Sequence, residues 1–168
     1  MNMNTRVEAF MAQACALEAE AAERYAELAR QMDAHHNREV ATLFAKLARI
    51  EGLHRDQLLA RMGWSAAPDA ARYRWETPEG PETTDYGELH YRMQPWHALQ
   101  LALHNEQRAA DFFEEVSRSD VPEEVRVEAA EMAAEEREHV RLIEEWLGRV
   151  PEPEAGWDED MDPPVAVD

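Results

Sequence analysis

The sequence predicts an all-α fold: a four-helix bundle of two helical hairpins joined by one long crossover. Four segments of the 168-residue chain consist mainly of good helix formers. In each segment, apolar residues alternate at spacings of three and four, which places them on one face of a helix. Two of the connections are short and one is long, so neighbouring helices are expected to pair as hairpins.

The first hairpin is expected between residues 5 and 63. Thr5 and Glu8 have the spacing of an N-terminal capping box, which predicts that helix 1 begins there and continues to Met32. A short break over residues 33–37 leads to helix 2. Gly63 then suits the left-handed conformation that commonly ends a helix.

The rest of the chain supplies the crossover, the second hairpin and a tail. Residues 64–95 interrupt the helical pattern but contain aromatic residues, which predicts a crossover packed along the bundle (Trp64, Tyr73, Trp75, Tyr86 and Tyr91). Helix 3 is expected over about 96–117, with Pro95 in its first turn. The segment 120–123 is expected to cap helix 4, which ends before Gly148. The bundle thus spans residues 1–148, and residues 149–168 form an acidic, proline-rich tail that we expect to be poorly ordered.

Charge and composition exclude several classes of protein. The formal net charge of -19 argues against a nucleic-acid partner, because a phosphate backbone requires clustered Lys and Arg. Cys15 is the single cysteine, so one chain cannot form a disulfide or a cysteine-ligated metal cluster. No segment is apolar enough to predict a signal peptide or a membrane span. We therefore expect a cytoplasmic protein.

The inward-facing stripe of every predicted helix is interrupted by polar residues at mid-helix, with apolar residues on both sides. Six polar residues, and only those six, are expected to face the core: Glu18, Glu51, His54, Glu106, Glu136 and His139. Uncompensated carboxylates in a core are costly and repel one another. Two divalent cations would compensate them, since oxygen and nitrogen ligands of this kind hold iron or manganese.

The depth of these residues along the bundle supports a shared site. Residues on antiparallel helices meet only if they lie equally far from the connecting turn. The midpoint of Glu18 and Glu51 falls at the predicted turn of the first hairpin. The midpoint of Glu106 and Glu136 falls at the turn of the second. Each hairpin is therefore expected to bring its two carboxylates level, with a histidine one helical turn further on.

The two hairpins also look like copies of one another, as expected for an internal repeat that surrounds two metals. Their shared pattern consists of Glu18-x6-Tyr25 with Glu51-x2-His54, and Glu106-x6-Phe113 with Glu136-x2-His139. Over residues 5–148 this pattern resembles the rubrerythrin-related, ferritin-like di-iron carboxylate proteins. The single cysteine departs from full-length rubrerythrins, because it does not allow their rubredoxin-like module.

The resemblance implies a ferritin-like four-helix bundle with two iron ions, manganese being the alternative metal. It implies that the six residues act as bridging ligands (Glu51 and Glu136), terminal ligands (Glu18 and Glu106) and nitrogen ligands (His54 and His139). Tyr25 is a candidate redox neighbour or hydrogen-bond donor to a carboxylate, and a plain core aromatic is the alternative.

The expected function is that of a non-haem di-iron oxidoreductase that oxidises ferrous iron with peroxide or dioxygen. Without a rubredoxin-like module, the electron donor is expected to be a separate protein. We expect a homodimer, in which the long crossover would permit exchange of hairpins between protomers. Two other functions remain open: an iron-binding or iron-handling protein without turnover, and a metal-free helical interaction bundle whose polar layer only fixes helix register.

Overall fold

The computed structural model describes residues 3–69 and 94–154, which form four α-helices and no β-strand. The helices are α1 (Met3–Ala34), α2 (Arg38–Met62), α3 (Pro95–Ser117) and α4 (Glu123–Leu147). The four predicted helices are thus confirmed. In this part of the chain, no helix is long and apolar enough to cross a membrane.

The directions of the helices follow from two apolar clusters, one at each end of the bundle. The first joins the beginnings of α1 and α4 to the ends of α2 and α3 through side chains that include Phe10, Val125, Leu58 and Phe113. The second joins the ends of α1 and α4 to the beginnings of α2 and α3 through side chains that include Met32, Ile143, Phe44 and Leu99. Each hairpin is therefore antiparallel, and α2 and α3 run parallel, as the long crossover predicts.

One predicted helix start is wrong, and one predicted cap is of a different kind. Helix α1 begins at Met3, so Thr5 lies inside its first turns and is not the N-cap residue. The Glu8 carboxylate instead accepts a hydrogen bond from the Asn4 side chain at 3.1 Å. The N-cap of α4 is Pro122, which lies in the predicted segment 120–123 but has no side-chain acceptor and makes no side-chain capping bond.

The end of α2 has the predicted glycine cap. Gly63 has φ 68° and ψ 26°, in the left-handed region. Its N–H donates to the carbonyl of Ala60 at 3.1 Å, and the next N–H, that of Trp64, donates to Leu59 at 2.9 Å. These bonds satisfy carbonyls that have no partner within the helix. Gly148 follows α4 with φ -69°, so the second hairpin does not need a left-handed residue there.

The predicted crossover and tail fall largely outside the described residues. Trp64 packs against the apolar cluster at its end of the bundle, as expected for a packed crossover. The other aromatic residues of the crossover, Tyr73, Trp75, Tyr86 and Tyr91, lie outside the described ranges. The division into a bundle over 1–148 and a poorly ordered tail over 149–168 stays a prediction.

The Gly63→Ala substitution is expected to lower the free energy of unfolding by about 1 kcal/mol, because a side chain disfavours the left-handed conformation. A Cβ added at Gly63 meets no atom within 4 Å, so the cost is that of the backbone alone. Gly148→Ala is the matched control. Its φ is already right-handed, and we expect a change smaller than about 0.5 kcal/mol. Urea unfolding of both variants measures the difference, and equal effects would contradict the assignment of Gly63 as the cap.

Candidate metal centre

A layer of charged and polar side chains separates the two apolar clusters. Among the described residues, the buried polar or charged side chains are Glu18, Glu51, Glu106, Glu136 and His139. His54, the sixth predicted residue, retains 18% of its side-chain exposure at the edge of the layer. The layer lies at mid-bundle because each contributing residue lies near the middle of its own helix.

One group of possible ligands consists of Glu51, Glu106, Glu136 and His139, which offer ligand atoms within 4.8 Å of one another. The Nδ1 atom of His139 lies 2.8 Å from Glu51 Oε1 and 3.5 Å from Glu136 Oε2. It lies 3.7 Å from Glu106 Oε2. These atoms come from α2, α3 and α4, so the group forms only when the two hairpins pack together.

A second group consists of Glu18, Glu51 and His54, whose ligand atoms also lie within 4.8 Å of one another. The Nδ1 atom of His54 lies 3.8 Å from Glu18 Oε2 and 3.7 Å from Glu51 Oε2. A further carboxylate approaches from outside the layer, since Glu135 Oε2 lies 3.4 Å from the same nitrogen.

Glu51 belongs to both groups and is fully buried between them. One of its oxygens lies near His139 and the other near His54. The two imidazole rings are stacked almost in parallel, with centroids 6.1 Å apart and an interplanar angle of 9°. Glu51 therefore lies between the two histidines and is shared by the two groups of possible ligands.

Several ligand atoms in this layer are buried without a hydrogen bond, although buried polar atoms are usually paired. In the described part of the chain they include both oxygens of Glu18, both oxygens of Glu51, and the Nδ1 atoms of His54 and His139. Oxygen and nitrogen donors left free in this way fit iron or manganese. The residues present therefore fit a two-metal centre.

Burial and close contact shift the pKa values of the carboxyl groups in this layer. Burial, followed by the interaction with Glu51, raises the pKa of Glu18 well above its usual value. Burial, followed by repulsion from Glu106, does the same to the pKa of Glu136. Burial also opposes ionisation of Glu51, but the close side chains of Glu18, His139 and His54 outweigh it and lower the Glu51 pKa. The shifts of Glu18 and Glu136 favour their protonated forms, which reduces the negative charge in the layer.

The pKa values of both histidines are also raised. The close carboxylates of Glu18 and Glu51 raise the pKa of His54 to about 10. Burial opposes protonation of His139, but Glu106, Glu136 and Glu51 outweigh it and raise its pKa. Since a metal ligand must be neutral imidazole or ionised carboxylate, metal binding at neutral pH has to displace protons from this layer.

Tyr25 connects the two hairpins. Its hydroxyl donates to Glu106 on α3, and its ring stacks on Phe44 with centroids 5.9 Å apart. Burial, with the negative charge of Glu106, raises the pKa of the hydroxyl well above 10, so the group keeps its proton. The predicted contact with a carboxylate is present, but the carboxylate is that of the other hairpin. Phe113 occupies the equivalent position in the second hairpin and has no hydroxyl to offer Glu18.

The six predicted ligands thus come together, although partly exposed His54 corrects the prediction that all six are core residues. Glu136 belongs to one of the two groups of possible ligands, that of His139, and its implied bridging role stays a prediction. Sequence reasoning missed Glu135, which lies off the inward stripe of α4. The sequence signal that could have identified it is the row of Glu residues in helix 4 at spacings of four and three, which includes Glu135. Cys15 is buried and its pKa is raised to about 11, first by burial, which suits a core residue.

Comparisons with known proteins bear on both hairpins of the chain. The family model described as rubrerythrin matches residues 9–95, more than half of the chain, and includes Glu18, Glu51 and His54. A crystal structure of an uncharacterized conserved protein from Magnetospirillum magnetotacticum is 41% identical, with a TM-score of 0.70. That match covers 86% of this chain and 95% of the other, and so extends beyond the first hairpin. No curated protein matches the sequence.

The shared position of Glu51 predicts how metal binding responds to substitution. The wild type is expected to bind about two divalent ions, one for each ligand group. Glu51→Ala removes an oxygen from both groups and is expected to abolish tight binding. Glu18→Ala removes a ligand from one group only and is expected to leave about one ion bound. Calorimetric titration with Mn²⁺ distinguishes these outcomes, with circular dichroism as the control for folding. Equal stoichiometry in the two variants would contradict a shared carboxylate.

Proposed function

This chain belongs to the rubrerythrin family, and on that basis we propose that it is a di-iron oxidoreductase that oxidises ferrous iron with peroxide or dioxygen. The observation that carries the proposal is the position of Glu51 between two ligand groups, each with its own histidine. A polar layer that served only to fix helix register would not need free donor atoms at the same point. Manganese remains the alternative metal for the same ligand set.

The ligands would be Glu18, Glu51 and His54 at one position and Glu51, Glu106, Glu136 and His139 at the other. Two bound ferrous ions would supply two electrons, which together with two protons reduce one peroxide to two waters. Carboxylates suit such a centre because they can alter their mode of ligation and stabilise the more highly charged oxidised metal.

The surrounding residues favour a small oxidant. A cavity of about 40 Å³ lies between α1 and α3 and reaches Glu18, Glu106 and Glu136. Ala21 and Ala109 line it, so small side chains leave the space open. This volume exceeds what a single water needs and suits a molecule of two heavy atoms. Apolar clusters close the layer toward both ends of the bundle.

Tyr25 is proposed to position Glu106 and to stand as a redox neighbour of the centre. Its hydroxyl holds one oxygen of that carboxylate, which leaves the other oxygen toward His139. Electrons for further cycles would come from a separate donor protein, since the chain has one cysteine and no cysteine-ligated module. We also propose a cytoplasmic homodimer as its working form.

An anaerobic titration of the metal-stripped protein with ferrous iron tests this function. We expect saturation at about two ions per chain, followed by a rapid rise in near-ultraviolet absorption when one equivalent of peroxide is added. Iron binding without oxidation would favour an iron-handling protein without turnover. The absence of saturable binding would leave a metal-free helical bundle.

Tyr25→Phe removes one hydroxyl and keeps the ring that stacks on Phe44. Partners that orient metal ligands typically contribute about 10- to 100-fold to metal affinity or activity. We therefore expect the metal affinity of the position that includes Glu106 to fall by about that factor. Stoichiometry should remain at about two ions, as in the wild type. Phe44→Leu is the control, since it alters packing but retains the hydroxyl. Equal metal affinities in Tyr25→Phe and the wild type would contradict the positioning role.

A further inference from the structure

We propose that the metal reaches the centre along the face between α2 and α4, guided by a stripe of carboxylates on α4. The stripe consists of Glu124, Glu128, Glu131 and Glu135. The ligand it would attract is a hydrated divalent cation such as ferrous iron. This inference rests on the proposed function, since it assigns the path by which that function obtains its metal.

The stripe follows from helical geometry. Its residues are spaced by four, three and four positions, so they lie on one face of α4 and lead from the first turn toward mid-helix. Glu124, Glu131 and Glu135 are exposed, and Glu128 is partly buried. At its inner end, Glu135 Oε2 lies 3.4 Å from the candidate metal ligand His54.

Two connected spaces accompany the stripe. An outer groove of about 480 Å³ is lined by Glu124, Glu128, Glu131 and Arg61, over apolar side chains that include Met11 and Val125. An inner cavity of about 60 Å³ is lined by Glu128, Glu131, Glu135 and Arg61 together with Glu18 and His54. Three residues, Arg61, Glu128 and Glu131, line both spaces. The outer groove and the inner cavity therefore adjoin.

An independent feature marks the inner cavity as a place for a cation. Glu18 is 2% exposed and lines this cavity, and neither of its oxygens makes a hydrogen bond. The Nδ1 atom of His54 is also without a hydrogen bond. The cavity thus ends at buried donor atoms, which distinguishes it from an ordinary solvated acidic surface.

The carboxylate stripe can guide a cation but is not arranged to hold one. Within the described ranges, groups of three or more converging ligands occur only at the candidate metal centre, and the stripe is not one of them. Arg61 pairs with Glu128 where the outer groove meets the inner cavity. An arriving cation would separate this pair, so Arg61 opposes passage by its charge.

The charged residues that line the cavity between α1 and α3 differ from those of the inner cavity. Apart from the candidate ligands, its charged lining residues are Glu20, Arg24 and Arg108, two cations and one anion. The inner cavity has three carboxylates and one cation, Arg61. Since local charge controls the approach of ions, we expect the metal to enter through the inner cavity. We expect the uncharged oxidant to enter through the cavity between α1 and α3.

The test is the rate of Co²⁺ binding to the metal-stripped full-length protein, followed by stopped-flow absorption of the bound ion. Glu124→Gln with Glu131→Gln removes two charges from the stripe. Glu20→Gln with Glu144→Gln is the matched control. It removes two charges from the same helical bundle, one at the α1/α3 cavity and one on an exposed part of α4.

We expect the stripe variant to bind about threefold or more slowly at low ionic strength, with unchanged final stoichiometry, and the difference to shrink in high salt. The control pair should bind at nearly the wild-type rate. Arg61→Gln should act in the opposite direction and bind faster. Equal slowing in the stripe and control variants would overturn the path, because attraction would then come from the net charge of the whole chain.

An incorrect path and an incorrect metal centre would give different results in this experiment. Saturable Co²⁺ binding at unchanged rates in all variants would overturn the path and leave the metal centre intact. No saturable binding to the wild type would overturn the metal centre itself, and the path with it. The substituted residues of the stripe variant are exposed, so its fold is expected to persist, and circular dichroism checks this.

Discussion

The structure depends on how four buried carboxylates are compensated. Glu18, Glu51, Glu106 and Glu136 occupy one layer of a core that is otherwise largely apolar. Burial penalises their ionised forms, and their proximity adds repulsion. Two nearby histidines reduce this cost, and so does protonation of Glu18 and Glu136, which their raised pKa values favour. The same arrangement leaves donor atoms without hydrogen bonds, which a pair of cations would satisfy.

The bundle keeps these groups together by packing on both sides of them. One apolar cluster lies at each end, and each cluster contains side chains from all four helices. Rigid helices therefore determine which carboxylates meet, and flexible loops do not contribute ligands among the described residues. This suits a metal centre, because ligands on helices are held more closely in position than ligands on loops.

The two hairpins resemble one another in sequence but differ at the centre. Tyr25 binds Glu106, whereas Phe113 at the equivalent position leaves Glu18 without a hydroxyl partner. His139 is almost fully buried, and His54 borders the space between α2 and α4. The two proposed metal positions are therefore inequivalent. The position with His139 is buried in the core, and the position with His54 is adjacent to the carboxylate stripe and to solvent.

The sequence by itself determined the four helices, their pairing and the six residues that form the polar layer. Helical periodicity fixes which face each residue occupies, and distance from a turn fixes its depth, so Glu18 and Glu51 could be matched before any coordinates. It did not determine the start of α1 or the kind of cap on α4, because caps depend on local competition such as the bond between Asn4 and Glu8. The partner of Tyr25, the exposure of His54 and the approach of Glu135 depended on tertiary structure, since they arise from contacts between the two hairpins or from the way helices adjoin.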